Sequence, residues 1–141
     1  MSELDNLAVS RTIVNAWNAH KPEDWLAYLA DDYVYDSDSL PTTPITGRAA
    51  LLSFFQTYMT AFPDIHFEVE QLIASGDFVV MRWKATGTHQ GELNGIPPTG
   101  RHVATRGCAV TEFKNHKVIR EWDYWDNVNM LRQLGVMPAL T

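Results

Sequence analysis

A chain of 141 residues is long enough to bury a real core and short enough for a single domain spanning residues 1–141. Its 45% hydrophobic and 20% charged residues are those of a folded globular protein, and a net charge of −6, with eleven Lys and Arg scattered and never in a run, argues against nucleic acid and against anionic membranes. The single cysteine, Cys108, excludes an intrachain disulfide and, in an apolar run, reads as a small buried hydrophobe. The segment MSELDNLAVSR lacks a basic stretch followed by an apolar one, and no apolar run reaches membrane-spanning length. A cytoplasmic protein is the expectation.

Ser2 and Asp5 are placed to cap a first helix, although Glu or Gln is the more usual second partner of a capping box. Val9, Ile13, Ala16 and Trp17 then form one apolar stripe, which Asn18, Ala19, His20 and Lys21 break. Pro22 suits the first turn of a short second helix running through Trp25, Leu26 and Leu29. Asp31 and Asp32 end it, and Tyr33-Val34-Tyr35 reads as a short strand. Pro41 and Pro44 among Ser and Thr make Asp36 to Gly47 a loop, and a long polar loop beside a pocket is suited to act as a lid. Leu51, Phe54, Phe55, Tyr58, Met59 and Phe62 predict a third helix with a wide aromatic face, stopped by Pro63.

After Pro63 the period becomes two. Ile65, Phe67 and Val69 alternate with His66, Glu68 and Glu70, which predicts a strand with one wet face. Gly76-Asp77 turns into a long strand from Phe78 to His89, and Gln90 to Arg101 is an extended connection rich in Gly and Pro. His102 to Phe113 and Val118 to Trp125 are further strands joined by a hairpin at Lys114–Lys117. A short helix from about Asn127 to Leu134 ends at Gly135, with Asp126 as its N-cap. Helices followed by antiparallel strands give an α+β order: a curved antiparallel sheet packed against three N-terminal helices and closing on an apolar pocket.

Gly87-Thr88-His89-Gln90-Gly91-Glu92-Leu93-Asn94-Gly95-Ile96-Pro97-Pro98-Thr99-Gly100-Arg101, followed by Ile119-Arg120-Glu121-Trp122-Asp123 and Gln133-Leu134-Gly135, resembles the SnoaL-like polyketide cyclases. The similarity runs over nearly the whole chain. It implies the cone-shaped fold shared with nuclear transport factor 2 and ketosteroid isomerase, commonly dimeric through the sheet. It also implies intramolecular aldol ring closure without metal or cofactor, with an acidic residue late in the sheet as acid/base.

Alternation places Ile119, Glu121, Asp123 and Trp125 on one face of the last strand, and Val118, Arg120, Trp122, Tyr124 and Asp126 on the other. A carboxylate between aromatic neighbours loses hydration, which raises its pKa toward the range useful for proton transfer. Asp123 matches the Trp-Asp of the family strand and is the first catalytic candidate; the competing reading is a salt bridge or a cap. Glu121 either shares Asp123's face or pairs with Arg106 or Arg82 across the sheet. His89 either polarises a carbonyl at the wide end of the cone or is bonded within the loop that follows it. Trp17, Tyr33, Phe54, Tyr58, Trp83, Arg106, Glu121 and Trp125 are the candidate substrate contacts, with core packing the plainer reading of the aromatics. His66 and His102 look like surface residues, His20 and His116 sit in turns, and no His, Asp and Glu have metal-site spacing.

Carrying the ketosteroid isomerase residues across without gaps puts its tyrosine on Ile13, its base on Ser37 between Asp36 and Asp38, and its second acid on Thr111. A one-residue slip to either aspartate would reverse the side chain's face, so isomerisation by that mechanism is not expected. The readings that remain are a cofactor-free enzyme on a hydrophobic carbonyl substrate and a non-catalytic module holding a small hydrophobic ligand; epoxide hydrolysis would need an Asp–Arg–Asp set of which Asp123 and Arg106 supply a part. A homodimer through the sheet is expected, because Trp122 and Tyr124 would otherwise be exposed aromatics.

Overall fold

The structure, a computed structural model, describes residues 2–40 and 43–137; Pro41, one of the prolines that mark the expected loop, lies outside them. Helix α1 (Glu3–Asn18) starts at a complete capping box: the Ser2 hydroxyl accepts from the Asp5 amide and the Asp5 carboxylate from the Ser2 amide. Asp serves where Glu is usual because the reciprocal geometry needs only a carboxylate on that turn. Asn18 then ties the helix end to the sheet, donating to the Phe67 carbonyl at 2.9 Å and accepting from its amide at 2.7 Å.

Helix α2 (Pro22–Leu26) is shorter than the sequence suggested, and strand β1 (Leu29–Asp36) starts earlier. Leu29 pairs with Val118 and is 1% exposed, so tertiary pairing draws it out of the helix and into the sheet. Next come β2 (Ile45–Thr46), α3 (Arg48–Ala61), β3 (His66–Ser75), β4 (Phe78–Thr88), β5 (His102–Lys114), β6 (Lys117–Trp125) and α4 (Asn127–Gln133). Asp126 caps α4 by accepting from the Asn129 amide at 2.9 Å, and Gly135 ends it at φ 79°, a left-handed conformation that glycine adopts without strain.

The six strands form one sheet in the order β2-β1-β6-β5-β4-β3. The sheet is mixed, which corrects the all-antiparallel expectation: β1 and β6 run parallel, with Tyr35 opposite Glu121. A parallel pair needs a long crossover, and here β2, α3 and strands β3–β5 supply it between two strands far apart in sequence. Register shifts between Val69 and Gln71, and between Glu112 and Phe113, add the bulges that bend a sheet.

One core cluster joins Ala16, Trp25, Leu51 and Phe55 of the first three helices to Leu29, Tyr33, Val79, Phe113 and Val118 of the sheet. A second, with Phe62, Ile65, Leu93, Val103, Met130 and Leu134, packs α4 and the Gly/Pro-rich connection against the end of α3. On the other face of the sheet, Ile73, Val80, Val110 and Trp122 fall in one row across β3, β4, β5 and β6. Cys108 belongs to this outer face and is half-buried, not a core residue as expected. Even-numbered positions of β5 point outward, and Cys108 is one of them.

Candidate active site

Between α1, α3 and the inner face of the sheet lies a cavity of about 150 Å³, partly open to solvent and walled mostly by aromatic and aliphatic side chains. A closed space of that size holds about one aromatic ring, so a polycyclic ligand would have to extend through the open side. Two carboxylates, Glu121 and Asp123, line it. Both come from β6, where alternation turns every second residue inward.

Asp123 is held at both oxygens. Oδ2 accepts a 2.7 Å hydrogen bond from Tyr35 Oη, and Oδ1 a 3.0 Å bond from Trp83 Nε1. Tyr35 reaches it because β1 lies beside β6 in parallel register. Trp83 comes from β4, beyond β5, and its indole crosses β5 where Gly107 has no side chain. Burial, opposed by the hydrogen bonds from Tyr35, Trp83 and the Tyr124 backbone, leaves the Asp123 pKa raised to about 6. Glu121 is raised well above the usual carboxylate range, first by burial and then by the Asp123 charge. Burial, reinforced by the neighbouring carboxylates, also pushes up Tyr33, Tyr35 and Tyr58, the last to about 12. These phenols therefore stay protonated donors at neutral pH.

Of the expected site residues, Trp17, Phe54, Tyr58, Trp83, Glu121, Asp123 and Trp125 come together on the cavity wall. Three do not. His89 is 0% exposed and faces its own loop: Nδ1 accepts from the Thr99 amide at 3.1 Å and lies 3.0 Å from Thr99 Oγ1, while the ring packs on Phe62. An Nδ1 that accepts from an amide leaves the proton on Nε2. Arg106 is on the outer face, paired with Glu70 at 3.3 Å, because it sits one residue out of phase with the inward positions of β5. Arg82 likewise turns outward to Gln71, so neither arginine pairs with Glu121. Tyr33 is sealed in the core at 1% exposure, with no partner for its hydroxyl among the described residues.

Two lining residues that matter stand outside the expected set. Ser10 and Thr105 face the cavity, are 4% and 8% exposed, and have hydroxyls without a partner among the described residues. Ser10 was legible: with Asn6, Ile13 and Trp17 it falls at i, i+4, i+7, i+11, the stripe that faces the sheet. Thr105 shares the phase of Val103, Ala109 and Thr111 on β5. The isomerase positions hold no acid: Ile13 and Thr111 line the cavity, and Ser37 is buried, where its hydroxyl accepts from Ser39. No arginine is on the cavity wall among the described residues, so an Asp–Arg–Asp set is not assembled there. Among the described residues no group of three or more His, Cys, Asp or Glu could hold a metal ion, and no helix is long and apolar enough to cross a membrane.

The SnoaL-like polyketide cyclase family model matches residues 7–134. The chain is 26% identical over 132 residues to the aklanonic acid methyl ester cyclase AcmA of Streptomyces galilaeus, covering 93% of this chain and 91% of that protein. Among solved structures, AclR of Streptomyces galilaeus superposes with a TM-score of 0.88 at 28% identity, over 99% of this chain and 91% of its own. IdmH of Streptomyces antibioticus does so with a TM-score of 0.78 at 29% identity, over 92% and 97%.

Proposed function

The chain belongs to the SnoaL-like polyketide cyclase family, and from that premise we propose that it is a cofactor-free acid/base enzyme acting on a largely apolar, carbonyl-bearing substrate. The observation that carries this reading is Asp123, a carboxylate facing an aromatic cavity with its pKa raised to about 6. A base of that strength is ionised at neutral pH yet still able to take a proton from a carbon next to a carbonyl. The hydrogen bonds from Tyr35 and Trp83 fix its orientation and occupy one lone pair on each oxygen, leaving others for substrate. Aromatic walls would exclude water from the enolate that results.

The relative named for cyclising aklanonic acid methyl ester makes a polycyclic aromatic ketone the substrate class to try first, with intramolecular aldol closure as the reaction. Asp123→Asn keeps the shape and removes the base. With a substrate of that class, kcat should fall on the order of 10²–10⁴-fold. Unchanged turnover would sink the assignment and leave a ligand-holding module as the reading.

The same reading takes the chain as one domain, cytoplasmic and without a nucleic-acid partner. It works as a homodimer that covers the row of Ile73, Val80, Val110 and Trp122 on the outer face. Sedimentation of the wild type as a monomer at micromolar concentration would remove the dimer from this account.

A further inference from the structure

Glu121 and Asp123 share one cavity but are treated differently by it. Asp123 receives two hydrogen bonds, from Tyr35 and Trp83, which favour its ionised form. Among the described residues, the Glu121 carboxyl has no hydrogen-bond partner and no cation beside it. The groups beside the pair are Tyr33 and Tyr35 from β1, Tyr58 from α3 and Trp83 from β4, with Thr111 from β5 and Ser10 from α1 on the same cavity. None of them carries positive charge. Two carboxylates on neighbouring inward positions of one strand, about 7 Å apart along it, cannot both be ionised cheaply in such a place.

We infer that Glu121 is the neutral partner of the pair, holds a proton at neutral pH, and is the general acid that completes the reaction begun by Asp123. This rests on the acid/base reading above and names a second catalytic residue for it. The step balances within the pair. Asp123 takes a proton from the α-carbon, and the carbanion's electron pair forms the new carbon–carbon bond to the second carbonyl carbon. As the π electrons of that carbonyl move onto oxygen, Glu121 delivers its proton there and the product is a hydroxyl. The proton now on Asp123 then returns to Glu121, and no oxidant, reductant or metal is needed. The free hydroxyls of Ser10 on the α1 side and Thr105 on the sheet side of the cavity add two places where substrate oxygens would find partners the protein does not itself supply. The reacting carbonyl therefore belongs to an otherwise oxygen-bearing molecule, not to a plain hydrocarbon ketone.

The shift in Glu121 agrees with this order, since burial and the Asp123 charge both favour its protonated form. The proton can be read directly, with no substrate. Infrared spectra at pH 7 of wild type, Glu121→Gln and Asp123→Asn should show an un-ionised carboxyl C=O stretch in wild type that disappears in Glu121→Gln. No such band, or one that survives in Glu121→Gln and disappears in Asp123→Asn, overturns the inference. Should Glu121→Gln misfold, ¹³C-carboxyl glutamate labelling of the wild type reads the same proton.

Two oxygen-bearing probes separate the roles: a ring-hydroxylated 2-tetralone for α-proton exchange in D₂O, and a hydroxyaryl-substituted 1,5-diketone for ring closure. Asp123→Asn should lose both activities. Glu121→Gln should keep exchange within about tenfold and lose ring closure on the order of 10²–10⁴-fold, because an amide can bind the oxygen but not deliver a proton. Equal loss of both in Glu121→Gln refutes the division of labour. If Asp123→Asn changes neither activity while the infrared band still belongs to Glu121, the base assignment is wrong and the protonated Glu121 stands.

Discussion

The indole of Trp83 lies against Gly107 so closely that Cζ2 and Cε2 of the ring occupy the place a side chain on residue 107 would take. The Tyr124 carbonyl closes the same space from β6. One hydrogen atom on β5 thus lets a tryptophan on β4 reach an aspartate on β6. Gly107→Ala should displace the ring, at a cost of about 1–3 kcal/mol in stability, and break the Trp83–Asp123 bond. Without that donor the Asp123 pKa should climb above about 6, moving the acidic limb of kcat/KM to higher pH. Tryptophan fluorescence and a pH–rate profile both identical to wild type would refute the link.

Tyr35→Phe tests the other bond to the same carboxylate. The lost bond is short, 2.7 Å, and charge-assisted when Asp123 is ionised. Such bonds are worth about 1.5–3 kcal/mol, so the limb should move up by on the order of one to two pH units. In a Tyr35→Phe, Trp83→Phe double variant the two effects should not add, because both act on one group. Strict additivity in the pH profiles would mean that the two side chains act on the reaction separately.

The raised pKa of Asp123 also has a consequence for stability. Its folded value of about 6 lies above its ordinary 3.8, so the folded chain holds this proton more tightly than the unfolded chain. The resulting stabilisation is fully present below about pH 4 and is lost as pH rises through about 6. Between pH 4 and pH 7 the wild type should therefore lose stability relative to Asp123→Asn, on the order of 3 kcal/mol. Urea midpoints of the two proteins measured across that range should diverge steadily; parallel curves would show that the carboxyl is not desolvated.

His89→Leu separates architecture from catalysis. The ring holds the Thr99 amide, and that contact anchors the connection between β4 and β5. Leaving this part-buried amide unpaired should cost about 1–3 kcal/mol in thermal or urea unfolding. Turnover by the folded variant should stay near wild type, because His89 does not line the cavity. A collapse of kcat without loss of stability would restore the histidine to the chemistry.

Much of this site was legible in the residues alone. The period of two in β6 places Glu121, Asp123 and Trp125 on one face whatever the strand's neighbours are. The spacing of Leu51, Phe54, Phe55 and Tyr58 aims α3 at the sheet with the same certainty. Ser10 was on view too, yet a serine in an apolar stripe is easily counted as polar background.

What no local pattern contained is which partners meet Asp123. Tyr35 stands 88 residues away and arrives only because β1 pairs in parallel with the last strand. Trp83 arrives only because the residue between the two strands is glycine. The same kind of fact decided against His89 and Arg106. One lies past the end of its strand and turns to Thr99, and the other is one residue out of phase. Alternation and helical period follow from backbone geometry within a few residues, so the sequence by itself determined the face of each side chain within an unbroken stretch. The register shift between Glu112 and Phe113 breaks one such stretch: it turns Val118, expected on the face opposite Glu121, into the core against Phe113. Register, parallel pairing and close approach depend on contacts between distant segments, so only the tertiary structure decided that Asp123 is the anchored carboxylate and Glu121 the one without a partner.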